Sequence, residues 1–164
     1  MRPVWLLLLA SATACGGSTP EPEIAPPVST APAGPTRTDF ETIAKKLVGR
    51  CAMGGWIERW RSTHEDVSVA KPKVFLEKFA DETDQDLDSD YLTSKLEHRM
   101  RLSGVYEMVG DPSEADFVAL GRLKRLAERT RTGRISVYTA LLELENVQTG
   151  KRAHTCDATV RGEM

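Results

Sequence analysis

Ala115-Asp116-Phe117-Val118-Ala119-Leu120-Gly121-Arg122-Leu123-Lys124-Arg125-Leu126, followed by Arg134 to Leu144 and Arg152 to Val160, decides the fold class. Phe117 to Leu126 is rich in apolar residues, and strand alternation puts Arg122 and Lys124 on one face, away from Leu123. The second and third runs read as strands, and Gln148-Thr149-Gly150 between them as a hairpin turn. A sheet of this kind has to bury one face, so the covering layer is sought upstream.

Upstream the periodicity changes to that of helices. Thr38 and Glu41 have capping-box spacing in front of Phe40, Ile43, Ala44, Leu47, Val48 and Cys51. Gly54-Gly55 interrupts that helix before Trp56-Ile57-Glu58-Arg59-Trp60. Val74-Phe75-Leu76 after Pro72 is a strand. Asp88 or Ser89 opens a second long helix carrying Tyr91, Leu92, Leu96 and Met100, and Ser103-Gly104 ends it. Val105 to Val109 reads as a further strand and Pro112 to Ala115 as a turn or short helix. The expectation is one α+β domain over residues 38–164, a small and mostly antiparallel sheet flanked by helices, without internal repeats.

The first residues carry a different message. Met1-Arg2, the apolar run Val4 to Leu9 and Ala12-Thr13-Ala14-Cys15 form a secretory signal peptide over residues 1–14, too short for a membrane span. A cysteine directly after small residues is the lipidation site of bacterial lipoproteins. Cys15 is therefore expected to become the N-terminus, with a thioether-linked diacylglycerol and a palmitate-type N-acyl chain, enough for stable anchoring. Gly16 next to it, in place of Asp, points to the outer membrane and a domain facing the periplasm. Residues 15–37 then form a disordered tether with proline at 20, 22, 26, 27, 32 and 35, spanning roughly 60 to 70 Å when extended.

The 164-residue chain has 22 Lys+Arg against 24 Asp+Glu; loss of Arg2 with the leader moves the net charge from -2 to -3. That balance argues against a nucleic-acid partner. With Cys15 lipidated, Cys51 and Cys156 remain in an oxidising compartment, either as a disulfide or as two buried thiols.

The order of short motifs resembles the LpoB family. They are Trp56-Ile57-x-x-Trp60, Lys71-Pro72-Lys73-Val74, Thr83 and Asp88 leading into Leu92-Thr93-x-x-Leu96, Ser103-Gly104-Val105, Ala115 to Gly121, and a closing Leu144-x-x-x-x-Thr149-Gly150 hairpin. The resemblance covers roughly residues 50–160. It implies an outer-membrane lipoprotein that activates a bifunctional penicillin-binding protein, a peptidoglycan synthase of the cell wall, and a shape related to the TolB N-terminal domain and CsgG. The family's Asn-Arg-Thr loop here reads Asp81-Glu82-Thr83, which turns a basic loop acidic. The alternative within the same shape is a structural subunit of an envelope assembly or secretion complex of CsgG/TolB type.

Two charged segments are the candidate partner surface. Arg122, Lys124, Arg125, Arg129, Arg131 and Arg134 are relieved only by Glu128, while Asp81, Glu82, Asp84, Asp86, Asp88 and Asp90 contain no basic residue. The basic segment is a solvated hairpin or a docking surface for an acidic partner; the two segments could also pair with each other. A calcium loop starting at Asp84 lacks the glycine at its sixth position, and one starting at Asp86 puts Tyr91 there, so neither register works. His64, His98 and His154 share no zinc spacing, and no serine sits on a strained, glycine-flanked turn. Trp56 and Trp60, one helical turn apart, pack in the core or form an exposed aromatic pair. No enzyme activity, cofactor or metal is expected, and the domain is expected to be a monomer.

Overall fold

The computed structural model describes residues 34–64, 70–130 and 133–162. The leader, Cys15, the tether through residue 33 and Arg131 lie outside the described residues. Among the described residues three α-helices, α1 (Arg37–Ala52), α2 (Trp56–Arg61) and α3 (Ser89–Ser103), and a 3-10 turn at Pro112–Glu114 accompany six strands: β1 (Lys73–Leu76), β2 (Ala80–Asp81), β3 (Glu107–Met108), β4 (Phe117–Thr130), β5 (Gly133–Asn146) and β6 (Arg152–Gly162).

The first helix starts earlier than expected. Thr36 is its cap: the hydroxyl accepts from the Asp39 amide at 3.2 Å and the Asp39 carboxylate accepts from the Thr36 amide at 2.8 Å. The capping box is thus Thr36–Asp39 rather than Thr38–Glu41, because Glu41 is drawn to α3, where it accepts from the Tyr91 hydroxyl at 3.0 Å and pairs with Lys95 at 3.2 Å. Asp88 caps α3 through the Tyr91 amide, and Gly104 ends it in the left-handed region at φ 67, where a side chain would be strained.

The strands form one sheet in the order β3-β1-β4-β5-β6, with β2 pairing β4 beyond the end of β1. The long strands are antiparallel, β4 to β5 from Phe117↔Asn146 to Thr130↔Gly133 and β5 to β6 from Ser136↔Gly162 onward. The sheet is therefore mostly antiparallel, as expected of an α+β domain. Its short edge is parallel instead: β1 pairs β3 and β4 in parallel, and β2 pairs β4 in parallel. Parallel neighbours need a long crossover, which α3 supplies between β1 and β3. The strand expected over 105–109 shrinks to Glu107–Met108, since Tyr106 turns into the core and stacks on Trp56 with ring centres 6.1 Å apart.

Alternation on the long strands separates two faces. Phe117, Ala119 and Leu123 on β4, Tyr138, Ala140, Leu142 and Leu144 on β5, and Cys156, Ala158 and Val160 on β6 are buried and share one face. Phe40, Ile43, Ala44 and Leu47 of α1 and Leu92, Leu96 and Met100 of α3 belong to the same core. Each large aliphatic side chain buried there contributes about 1.5–3 kcal/mol. Gly121 is required on that face: a Cβ there would lie 2.4 Å from the Phe79 ring, which fills the gap.

Cys51 on α1 and Cys156 on β6 are joined as a disulfide, their Cα atoms 5.4 Å apart. The same helix covers the outer edge of β6, where Lys46 donates to the Thr159 carbonyl at 3.0 Å and Arg50 to the Asp157 carbonyl at 2.8 Å. Carbonyls that would otherwise recruit another strand are thereby occupied. Among the described residues no helix is long and apolar enough to cross a membrane.

Candidate functional site

The face of the sheet opposite the core carries the charged groups. Alternation brings Arg122 and Lys124 of β4 and Glu143 of β5 to that face, and Arg152 at the start of β6 joins them. Glu143 is only 8% exposed, and its two carboxylate oxygens are shared between two guanidinium groups: Oε2 lies 2.8 Å from Arg122 and Oε1 2.8 Å from Arg152. Glu82 extends the row, 3.2 Å from Lys124 and 4.0 Å from Arg122. The result is an alternating row, Arg152, Glu143, Arg122, Glu82 and Lys124. Its outer pairs are half-exposed and contribute little to stability, about 0–1 kcal/mol each. Buried between two cations, Glu143 fixes where those cations stand, and a rigid pattern of charge suits recognition.

The basic segment does not act as one patch. Arg125 points to the other side of β4, where one guanidinium nitrogen lies 2.8 and 3.1 Å from the two Asp84 oxygens and Nε donates to Ser136 at 3.0 Å. The hydrogen bonds from Arg125 hold the Asp84 carboxyl below the usual aspartate range, and the same pair raises Arg125. Arg129 and Arg134 are placed by backbone register alone, opposite each other next to the end of the β4–β5 ladder.

The acidic segment is ordered from within. Asp81 accepts from the Thr83 amide at 2.8 Å and from the Leu87 amide at 2.6 Å, which folds the loop and turns Glu82 and Asp84 toward β4. Tyr138 donates a short hydrogen bond to Gln85. Asp90 pairs with Lys78 at 2.8 Å. Of the interpretations left open by the sequence, the pairing of the two charged segments is what the structure contains for Arg122, Lys124 and Arg125.

Trp56 and Trp60 are 2% and 9% exposed, so they belong to the core. The Trp56 indole donates to the Cys51 carbonyl at 2.9 Å, and Trp60 stacks with His64 at 4.1 Å. A surface cavity of about 390 Å³ lies beside them, lined among others by Arg59, Trp60, His64, Thr149 and Lys151. Glu143 and Arg152 were not singled out from the sequence. Alternation along β5 from the buried Leu142 and Leu144 puts Glu143 on the charged face and could have found it, whereas Arg152 reaches that face through the register shift of the β5–β6 ladder at Leu144/Glu145, which alternation back from Cys156 and Ala158 does not reveal.

The sequence matches no family model and no curated protein. Solved structures do match. The C-terminal domain of LpoB from Salmonella enterica superposes with a TM-score of 0.52 at 14% identity, over 74% of this chain and 98% of that domain. This chain has an LpoB-like fold. The C-terminal domain of LpoB from Escherichia coli agrees, with a TM-score of 0.50 at 13% identity and the same coverage, 74% and 98%. At this level of identity the likeness concerns the fold.

Proposed function

We propose that this protein is a non-enzymatic lipoprotein, anchored through Cys15 in the outer membrane and facing the periplasm, that binds and activates a bifunctional penicillin-binding protein. The observation that carries this reading is the extent of the likeness: 98% of the LpoB C-terminal domain finds a counterpart here, in a chain whose leader ends in Ala12-Thr13-Ala14, directly before Cys15. Activation requires the domain to bind the active conformation of the synthase more tightly than the inactive one, because equal affinity shifts nothing. The lipid anchor and tether raise the effective concentration of the domain at the wall. The charged face is the surface it would present, with Arg122, Lys124 and Arg152 each 41–59% exposed.

The experiment is retention of detergent-solubilised envelope proteins of the same organism on the immobilised mature chain, read by mass spectrometry. Enrichment of a bifunctional penicillin-binding protein is the expected result. Retention of a channel or secretion subunit without any synthase would replace this reading with that of an assembly component.

A further inference from the structure

The sheet treats its edges unequally. On one side α1 occupies the outer carbonyls of β6 through Lys46 and Arg50. On the other, β4 outruns its neighbours: β1 pairs only Phe117 to Ala119 and β2 only Arg122 and Leu123, whereas β5 follows β4 to Thr130. Among the described residues no strand lies against that side of β4 beyond Leu123. Which groups face the gap follows from the register. The Ala119 carbonyl accepts from the Glu77 amide and the Leu123 carbonyl from the Glu82 amide, so odd-numbered residues of β4 turn their backbone groups away from β5. The ladder with β5 has no shift over its whole length. Ala127 and Arg129 therefore direct N–H and C=O outward, at the open edge.

We propose that this edge of β4, from Arg125 to Thr130, is a docking site that takes an extended acidic segment of a protein partner as an added strand. Main-chain bonds to Ala127 and Arg129 supply affinity. The acidic character follows from charge. Between Arg122 and Arg134 the chain carries six basic residues and one acidic one, Glu128. Glu82 and Asp84 engage Arg122, Lys124 and Arg125 near the start of the edge, and Arg129 follows further along the same strand. A second copy of this chain would bring the same excess of cations to the contact and is disfavoured. Leu126, 65% exposed beside the edge, gives the incoming strand an apolar neighbour. The proposal rests on the reading that the domain docks a protein partner, and not on which protein that is.

The test places a photo-crosslinking amino acid at Leu126 in the full chain in living cells and compares Ala127→Pro with Ala127→Ser. Proline removes the outward N–H while leaving the β4–β5 ladder intact, as edge positions allow. Serine keeps the N–H. The expected result is a crosslink to an acidic peptide of a different protein, reduced about tenfold or more by Ala127→Pro and unchanged by Ala127→Ser. An equal crosslink in both variants, a crosslink to a second copy or within the chain, or none at all overturns the proposal. If Ala127→Pro fails to fold, amide exchange decides. The Ala127 and Arg129 amides must exchange fast in the free wild-type chain and become protected in the presence of the crosslinked acidic peptide, made synthetically; unchanged exchange overturns it. Crosslinking to a protein other than a penicillin-binding protein would refute the proposed function and leave this docking mode standing.

Discussion

Reduction of the Cys51–Cys156 disulfide is the most informative perturbation of the fold. The bond ties cysteines separated by 105 residues and links the helix layer to the last strand. In the chain-entropy account, closing a loop of that length removes about 4.7 kcal/mol of freedom from the unfolded chain. A domain of roughly 130 residues unfolds with an entropy of about 0.27 kcal/mol/K, so losing that contribution lowers Tm by about 17 °C. The assay is thermal unfolding by circular dichroism of the protein without its leader, with and without a strong reductant, beside the double variant Cys51→Ala/Cys156→Ala. The wild type should fall to near the melting temperature of the double variant when reduced, and the double variant should not respond to reductant. A reductant-dependent shift under about 4 °C, equivalent to about 1 kcal/mol, would refute the reasoning. It would mean that loop closure contributes little or that the thiols are free in the native protein.

Further expectations concern packing, charge and reach. Gly121→Ala pushes a methyl into the buried Phe79 ring and should cost about 1–3 kcal/mol, whereas Gly49→Ala, in open space inside α1, should gain about 0.5–1 kcal/mol; equal effects in denaturant titrations would contradict this packing. Asp84 should titrate below the ordinary aspartate range in a carboxyl NMR titration and return toward it in Arg125→Ala. Its folded-state value is depressed, so its contribution to stability is present above the unfolded value and is lost as pH falls through the lower folded one; an unshifted midpoint in the wild type would show that the ion pair does not form in solution. Replacing Gly16 to Pro35 by a tether of half the length should abolish function in cells if the partner lies across the wall, and an unaffected strain would exclude that geometry.

The parts of the fold legible in the sequence are those with long periodic patterns. Phe117 to Leu126, Arg134 to Leu144 and Arg152 to Val160 announce their strands, and Gly54-Gly55 and Ser103-Gly104 mark helix ends that occur there. β2 escaped notice because Ala80-Asp81 is too short to alternate, and its place is set by tertiary pairing with Arg122 and Leu123. The parallel edge was hidden for a related reason: Val74 pairs Met108 and Phe117, residues far off in the chain. At the charged face, alternation located Arg122 and Lys124. Their partner Glu82 depends on the Ala80↔Arg122 register, which no local pattern encodes. The capping spacing of Thr38 and Glu41 misplaced the start of α1, because Glu41 is engaged by Tyr91 of α3 and the cap is Thr36 with Asp39.

The decisive measurement is the rate of glycan polymerisation by the purified bifunctional penicillin-binding protein of the same organism, with and without a saturating amount of this chain. The proposed activation requires a rise in rate that the Arg122→Glu/Arg152→Glu variant fails to produce while remaining folded. An unchanged rate at saturation would contradict it, and would leave an LpoB-like fold put to another use.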